Sequence, residues 1–374
     1  MNVCILGGGN IGTLIIGDIG AKEDVSVRLL TSKPDEWNNI IEVFDKDGIF
    51  KYSGTLDVVS SNPEEVISDA DIIISTLPAN VLSEVIRKIK HFIKAGAWIG
   101  MMPGNGGGEF YCQELVENGC TVFGFQRVHG ICRLKEYGKS VFDLDKKKEL
   151  YIGAVPACIT SEVCKVMEHL FSVKCNPLEN YLQVTLTPAN PILHTARIYE
   201  IFRNYKNGIY WEKMVNFYSE WTDESSTMLL GSDDEVQKLC GKLDKIELSG
   251  VGSVKEYFGA QTPEQMTAEI SSRIALKNIQ SPMILTEKGY VPDFMSRYFL
   301  EDFSGGLCII KSFCEIAELK TPFIDKILMW FEDFARVEYY VDGRFIGKDL
   351  NRLALPQNYG INSQEDMIKY YRMS

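Results

Sequence analysis

The sequence predicts an α/β domain built on a doubly wound parallel sheet, followed by an all-α domain. Short apolar and β-branched runs alternate with helical stripes through the first half of the 374-residue chain, and such alternation is typical of parallel strands joined by helices. A glycine-rich turn follows the first of these runs, and beyond Cys175–Leu178 the pattern becomes mostly helical. Because a chain of this length exceeds one ordinary core, we expect two domains, residues 1–180 and residues 181–374.

The first elements are a strand, a glycine turn, a helix and a second strand. The strand Val3–Leu6 leads into Gly7–Gly12, which reads G-x-G-x-x-G, and the apolar helix Ile11–Ile19 and the strand Val25–Leu30 follow. In a dinucleotide-binding (Rossmann) domain the three glycines permit the turn, a close pyrophosphate and tight helix–strand packing. The helix N–H groups then face the anion. The predicted cofactor-binding residues in this turn are Gly7, Gly9, Asn10, Ile11 and Gly12.

Later strands extend the predicted sheet. Asp71–Thr76 is a β-branched run suited to a buried parallel strand. Leu77 and Pro78 end this strand at the sheet edge where ligands bind, so we assign both to the cofactor site. Further strands are expected at Ala97–Met101, Thr121–Phe125 and Glu149–Ala154.

The helical half contains one clear helix start. Thr262 is expected to be the N-cap, with Pro263 in the first turn and Gln265 in the capping-box position. Met266, Ile270 and Ile274 are then expected on one buried face.

Composition excludes several classes of function. The net charge is −12 with no basic run, which argues against a nucleic-acid partner or an anionic membrane surface. The ten cysteines form no C-x-x-C pair and no zinc-like cluster with histidine, so we expect reduced thiols, no metal site and a cytoplasmic location. The expected partners are small-molecule substrates, with a homodimer left open.

The tip of the second strand bears on which nicotinamide cofactor is used. NAD-binding domains place an acidic residue there to bind the ribose hydroxyls, but this chain has Thr31, Ser32 and Lys33. Serine and lysine suit a 2′-phosphate, so NADP is favoured and these three residues are assigned to the cofactor. Asp35 and Glu36 follow closely, so NAD remains the alternative.

Of the four histidines, His194 is the candidate for catalysis. His91 and His169 lie in or beside amphipathic helices, where surface or structural roles are expected. His194 ends a segment held by Pro188 and Pro191, with a helix expected to begin just after it. Histidine suits proton transfer near neutral pH, but the local sequence equally allows a helix-capping role.

Four segments resemble the opine dehydrogenases, the octopine/nopaline dehydrogenase family. Thr187–His194 is similar to the family's N-P/Q-x-x-H signature, and Arg297–Asp302, preceded by Val291–Phe294, is similar to its second signature. The third segment contains Phe125-Gln126-Arg127, Cys132-Arg133 and Tyr137-Gly138-Lys139. The fourth contains Gly347-Lys348-Asp349 and Pro356–Gly360. The resemblance extends over essentially the whole chain.

The resemblance implies a reductive condensation of an amino acid with an α-keto acid, often pyruvate, by NADH or NADPH. It implies that His194 polarises the keto carbonyl and moves protons, that Asp302 orients His194, and that Arg297 positions substrate. Gln126 and Asn190 are the further substrate-binding candidates. An alternative for Arg297 and Asp302 is a structural ion pair, although a spacing of five is poor for one helix face.

Two other functions remain open from the sequence. A ketopantoate- or β-hydroxyacid-type dehydrogenase shares the two-domain plan, but those families use a lysine where residues 181–202 contain none. A non-catalytic NAD(P) redox sensor would not need His194 and Asp302. The aromatic residues of the second half either line an amino-donor pocket or form core; they are Trp211, Tyr218, Trp221 and Trp330.

Overall fold

The computed structural model describes residues 1–373, without the side chains of Ala275, Arg372 and Met373. The chain divides into two compact units. The first comprises Met1–Thr185 together with the chain end from Tyr371, and the second comprises Leu186–Tyr370. The division between them falls five residues after the predicted residue 180, and the return of the chain end to the first unit was not predicted.

The first unit is built on an eight-stranded sheet, as the α/β pattern predicted. The strand order is β12-β11-β8-β7-β6-β1-β2-β5, and all neighbouring strands are parallel except β8 and β11. The strands are β1 (Asn2–Leu6), β2 (Ser26–Leu30), β3 (Ile40–Phe44), β4 (Phe50–Thr55), β5 (Val58–Ser60), β6 (Ile72–Ser75), β7 (Trp98–Met101), β8 (Thr121–Phe125), β9 (Gly130–Glu136), β10 (Ser140–Lys146), β11 (Glu149–Val155) and β12 (Lys174–Pro177).

Helices connect these strands. They are α1 (Asn10–Ile19), α2 (Pro63–Ile67), α3 (Ala79–Ile89), α4 (Gly108–Tyr111), α5 (Gln113–Glu117), α6 (Thr160–Phe171) and α7 (Leu182–Thr185). The helix α1 is buried along almost its whole length, and its residues Ile15, Ile16 and Ile19 join β1 and β2 in one hydrophobic core. That burial explains why the helix is apolar nearly all round.

A second sheet of four strands lies in the first unit and was not predicted. Its order is β4-β3-β10-β9, and the two hairpins β3–β4 and β9–β10 join through the parallel pair β3 and β10. The alternation of buried and exposed residues in β3 is regular, but pairing β3 with a strand a hundred residues later is a long-range contact. Local sequence carries no signal for such a contact.

The second unit is mainly helical. Its helices are α8 (Asn190–Phe202), α9 (Asp223–Lys242), α10 (Val254–Phe258), α11 (Pro263–Ser272), α12 (Arg297–Leu300), α13 (Cys308–Ile316), α14 (Pro322–Ala335) and α15 (Gln364–Met373), the last of which ends beyond the unit. The antiparallel hairpin β13 (Met283–Thr286) and β14 (Gly289–Pro292) is an addition to the predicted all-α unit.

The start of α11 largely follows the sequence prediction. The Thr262 side chain accepts a hydrogen bond from the Gln265 backbone N–H at 3.3 Å, but the Gln265 side chain accepts from Gln261 rather than from Thr262. Met266 and Ile270 are buried, whereas Ile274 is 88% exposed. The prediction for Ile274 was wrong because α11 ends at Ser272 and the helical periodicity stops with it.

Among the described residues, no helix is both long and apolar enough to cross a bilayer.

Candidate active site

The glycine turn has the geometry that a dinucleotide requires. Gly7 has a φ of +101°, which favours glycine, and a Cβ on Gly12 would lie 1.9 Å from the Gly7 carbonyl oxygen. A Cβ on Gly9 would meet no protein atom within 4 Å. The space in front of Gly9 and the first turn of α1 is therefore open, and helix N–H groups at such a place attract an anion. The turn fits a pyrophosphate.

Two neighbours of the turn have structural contacts. The Asn10 side chain accepts a hydrogen bond from the Leu134 backbone N–H at 2.8 Å, so this predicted cofactor residue ties α1 to β9. The half-buried Ile11 packs against both core clusters of the first unit. Their backbone N–H groups, rather than their side chains, are thus the groups suited to a ligand.

An aromatic pair that the sequence did not predict packs beside the glycine turn. The Trp37 ring covers Gly8, where a Cβ would lie 2.3 Å from it, and Tyr137 packs edge-on against Trp37 with centroids 5.4 Å apart. Lys33 Nζ lies 5.6 Å from the centre of the Tyr137 ring. No local motif distinguishes Trp37, because its role depends on a fold-back of the segment after β2.

A positive and a negative side chain, Lys33 and Glu36, both lie near the tip of β2, where the sequence left open which of them binds the cofactor ribose. Lys33 Nζ lies 3.2 Å from Glu36 Oε1, and both side chains are more than half exposed. Thr31 accepts a hydrogen bond from the Lys33 backbone N–H at 3.3 Å, which folds Ser32 into the turn between them. A lysine and a carboxylate thus stand side by side at this strand end.

The remaining predicted residues of the first unit lie at strand ends of the same sheet. Leu77 and Pro78 follow β6, and the Leu77 side chain lies 3.1 Å from the position of a Cβ on Gly7. Gln126 follows β8, and its side chain donates to the Gln183 carbonyl at 3.2 Å. The carboxyl ends of parallel strands form the ligand-binding edge of such sheets.

His194 lies inside a helix, which corrects the expected helix start. The helix α8 begins at Asn190, so Asn190 is one turn before His194. Pro191 occupies the first turn, where proline is tolerated because its missing N–H has no helical partner. His194 therefore does not cap a helix.

The His194 ring is buried and hydrogen-bonded at both nitrogens. Nδ1 lies 2.8 Å from Asp302 Oδ2, and Nε2 lies 2.9 Å from the Tyr218 hydroxyl. Asp302 immediately precedes the π-helical turn Phe303–Leu307. Glycine at Gly306 lets that turn approach α8, since a Cβ there would lie 2.7 Å from the Pro191 side chain.

Arg297 lies beside this pair rather than in an ion pair with Asp302. Its side chain is 57% exposed, and Nη1 lies 4.0 Å from Glu301 Oε2. Burial lowers the pKa of Arg297, but the negative charges of Asp302 and Glu301 outweigh that effect and raise it. The α12 helix ends at Leu300, so Arg297 and Asp302 do not share a helix face.

Comparison with known proteins connects this geometry to a family. The model of the NAD/NADP octopine/nopaline dehydrogenase α-helical domain matches residues 177–335, which include His194, Arg297 and Asp302. The model of the NAD-dependent glycerol-3-phosphate dehydrogenase N-terminus matches residues 2–103. Through residues 177–335 the chain resembles the octopine/nopaline dehydrogenases. It is an NAD(P)-dependent oxidoreductase of the opine dehydrogenase type, as the resemblance implied.

Similar proteins agree with this assignment over nearly full length. Tauropine dehydrogenase of Arabella iricolor is 28% identical over 97% of this chain and 99% of its own. The structure of octopine dehydrogenase with NADH and L-arginine matches this chain with a TM-score of 0.85 and 24% sequence identity. Its structure with NADH and pyruvate matches with a TM-score of 0.83 and 23% identity. Both comparisons cover 98% of each chain. The structure of NADP⁺-bound yersinopine dehydrogenase matches with a TM-score of 0.65 and 13% identity, over 96% of this chain and 99% of its own.

The aromatic residues considered from the sequence separate into two groups in the second unit. Tyr218 and Trp221 are nearly parallel, with centroids 6.3 Å apart, and Tyr218 contacts His194. Trp211 and Trp330 instead pack on Phe202 and Phe334. Only the first group lies at the candidate site.

The other histidines lie outside this site. His91 is exposed, and exposed His169 pairs with Asp24 at 2.8 Å, as their helical positions suggested. His129 is buried and lies 3.1 Å from Asp18 in the first unit. No local motif distinguishes His129, because its partner Asp18 is 111 residues away.

Proposed function

We propose that the chain condenses an amino acid with pyruvate and reduces the product to a secondary amine dicarboxylate, with His194 as the acid–base group. The observation that carries this proposal is the hydrogen-bonded pair of His194 and Asp302, buried beside the cationic Arg297. Pyruvate and arginine accompany NADH in the octopine dehydrogenase structures, which supports a keto acid and an amino acid as the substrate classes.

Loss of the carbonyl oxygen as water is the step that needs an acid. The amine adds to the keto carbon, and a proton delivered from His194 lets the oxygen leave as water while the C=N bond forms. Asp302 accepts from Nδ1 and stabilises the charged ring that precedes this transfer. The bound dinucleotide supplies the hydride that reduces the imine carbon.

Arg297 is the proposed anchor for the keto acid carboxylate. Its side chain is more than half exposed, and a guanidinium can form paired hydrogen bonds with a carboxylate. In an α-keto acid the carboxylate and the carbonyl carbon are directly bonded, so binding at Arg297 places the carbonyl near the His194 pair. Gln126 and Asn190 remain proposed substrate contacts, and Tyr218 and Trp221 are proposed neighbours of the amino donor.

NADP is the proposed cofactor, with NAD as the alternative. The open space at Gly9 fits the pyrophosphate of either dinucleotide. Lys33, Thr31 and Ser32 at the tip of β2 suit a 2′-phosphate, and the absence of a carboxylate at positions 31–33 disfavours the usual ribose contact. The ten free thiols suit a reducing compartment, and we place the enzyme in the cytoplasm.

Oxidation of NAD(P)H is expected to require both organic substrates. Because the hydride acceptor is the imine, pyruvate alone supports little oxidation, and addition of an amino acid from a panel restores it. The reductive condensation consumes one proton overall, so it is favoured near neutral pH, and the reverse reaction, which releases that proton, is favoured at alkaline pH. A full rate with pyruvate and no amine would instead identify a hydroxyacid dehydrogenase.

Cofactor preference is expected to depend on Lys33. NADPH should exceed NADH in kcat/KM, and Lys33→Ala should reduce that preference by about three- to tenfold, as for an exposed charged hydrogen bond. Lys46→Ala, which changes another exposed lysine, is the matched control. A clear NADH preference that Glu36→Gln removes would mean that Glu36 binds the ribose.

A further inference from the structure

The Tyr218 hydroxyl is hydrogen-bonded to the ring nitrogen of His194 that would exchange a proton with the substrate. Nδ1 faces Asp302 at 2.8 Å, and Nε2 faces Tyr218 at 2.9 Å. An ionised carboxylate only accepts hydrogen bonds, so Nδ1 carries hydrogen and the neutral ring has its lone pair at Nε2. Tyr218 then donates to Nε2, and when the ring is charged, Nε2 donates to the Tyr218 oxygen.

A proton that leaves Nε2 in this arrangement has the tyrosine oxygen as its acceptor. His194 is only 3% exposed, Asp302 5% and Tyr218 9%, so Tyr218 is the most exposed residue of the chain Asp302–His194–Tyr218. We propose that Tyr218 is a catalytic residue that relays the proton between His194 and the reacting oxygen. This inference rests on the proposed function and names a further group in the same site.

The position of Tyr218 is fixed by a buried arginine on the same helix as His194. Arg197 Nε donates to the Phe217 carbonyl at 2.9 Å, and Nη2 donates to the Glu220 carbonyl at 2.7 Å. These two bonds hold the connection between α8 and α9 on both sides of Tyr218. The ring is also nearly parallel to Trp221, at an interplanar angle of 10°. The hydroxyl is thus held against His194 by contacts that do not involve it.

The charges around Tyr218 suit a keto acid. The Arg297 guanidinium lies 5.6 Å from the centre of the Tyr298 ring, and that ring packs against His194 with centroids 4.6 Å apart. A carboxylate bound to Arg297 is therefore one aromatic ring away from the His194–Tyr218 pair. The carbonyl oxygen of that keto acid is two bonds from the carboxylate carbon. In the proposed relay this oxygen meets the Tyr218 hydroxyl while Tyr218 stays hydrogen-bonded to Nε2, whereas direct contact with Nε2 would require Tyr218 to move away.

The relay balances in protons and electrons. In the dehydration step Tyr218 gives its proton to the hydroxyl of the amine–keto acid adduct, and the C–O bond breaks to release water. The nitrogen lone pair forms the C=N⁺ bond, and the Tyr218 oxygen takes the proton from Nε2 of charged His194. His194 ends neutral, and one proton from solvent restores it for the next turnover.

The experiment compares Tyr218→Phe with the wild type and with Tyr257→Phe, which removes the hydroxyl of an exposed tyrosine outside the site. We expect Tyr218→Phe to lower kcat for condensation by about 10²-fold, the lower end for acid–base help, with the keto acid KM changed less than about threefold. The double variant with His194→Ala should be no slower than His194→Ala alone, since both residues lie on one proton path.

Three outcomes would overturn the relay. A kcat within about threefold of the wild type would mean that Tyr218 is displaced when substrate binds. A loss accompanied by a lower Tm or a large rise in KM would mean a structural role, and losses that multiply in the double variant would mean independent roles. If the wild type itself does not condense the two substrates, the proposed function fails, which is a separate result.

Discussion

Gly9→Val is expected to abolish dinucleotide binding while the chain stays folded. A Cβ at Gly9 meets no protein atom within 4 Å, so the valine side chain enters the open space in front of α1 without a clash inside the protein. That space is where a pyrophosphate approaches the helix N-terminus in a Rossmann domain. Titration of the variant with NADPH and with NADH should show no binding, at a Tm close to that of the wild type.

Gly12→Ala is the matched contrast for this variant. A Cβ at Gly12 would lie 1.9 Å from the Gly7 carbonyl oxygen, so even a methyl group forces the turn and α1 apart and should lower the Tm. The two glycines thus separate a ligand contact from a packing contact. Unchanged cofactor affinity in folded Gly9→Val would show that the pyrophosphate does not lie at this turn.

His194→Ala is expected to lower kcat by about 10²–10⁴-fold, the range for loss of an acid–base group. The variant no longer delivers the proton that carries the carbonyl oxygen away as water. Cofactor affinity should survive, because the glycine turn belongs to the other unit of the chain. Steady-state kinetics together with a cofactor titration measure both effects, and a kcat within a few-fold of the wild type would remove His194 from the mechanism.

Asp302→Asn tests whether the pair acts as a unit. The Nδ1 partner at 2.8 Å loses its charge, so the charged ring is less stable. The double variant should be little slower than His194→Ala alone. Losses that multiply would assign Asp302 a separate role.

The parts of the fold that depend on local pattern could be predicted from the sequence. The strands β1, β6 and β8 and the helix α1 lie where buried runs and the glycine turn placed them, because each signal is contained in a short segment. The sheet β4-β3-β10-β9 could not be predicted, since it depends on pairing across about a hundred residues. The start of α8 differs from the prediction because the first turn of a helix accepts proline, so Pro191 lies inside α8 rather than before it.

In the candidate site, too, residues in short local patterns could be predicted, and residues whose roles depend on long-range contacts could not. The segments Asn190–His194 and Arg297–Asp302 could be found because each is a short pattern that resembles a family signature. Tyr218 and Trp37 could not be assigned, since their roles arise from contacts with His194 and Gly8 that only the folded chain creates. Aromatic residues are common in cores, so composition alone did not separate Tyr218 and Trp221 from Trp211.

Transfer of deuterium from labelled NAD(P)H tests most directly that the imine is reduced at this site. The enzyme is given the deuterated cofactor, pyruvate and the amino acid that best supports oxidation, and the products are identified by mass spectrometry. We expect a secondary amine dicarboxylate with one deuterium on the carbon that came from the keto carbonyl, and its formation should be lost in His194→Ala. Deuterated lactate, with the amino acid recovered unchanged, would contradict the proposed reaction.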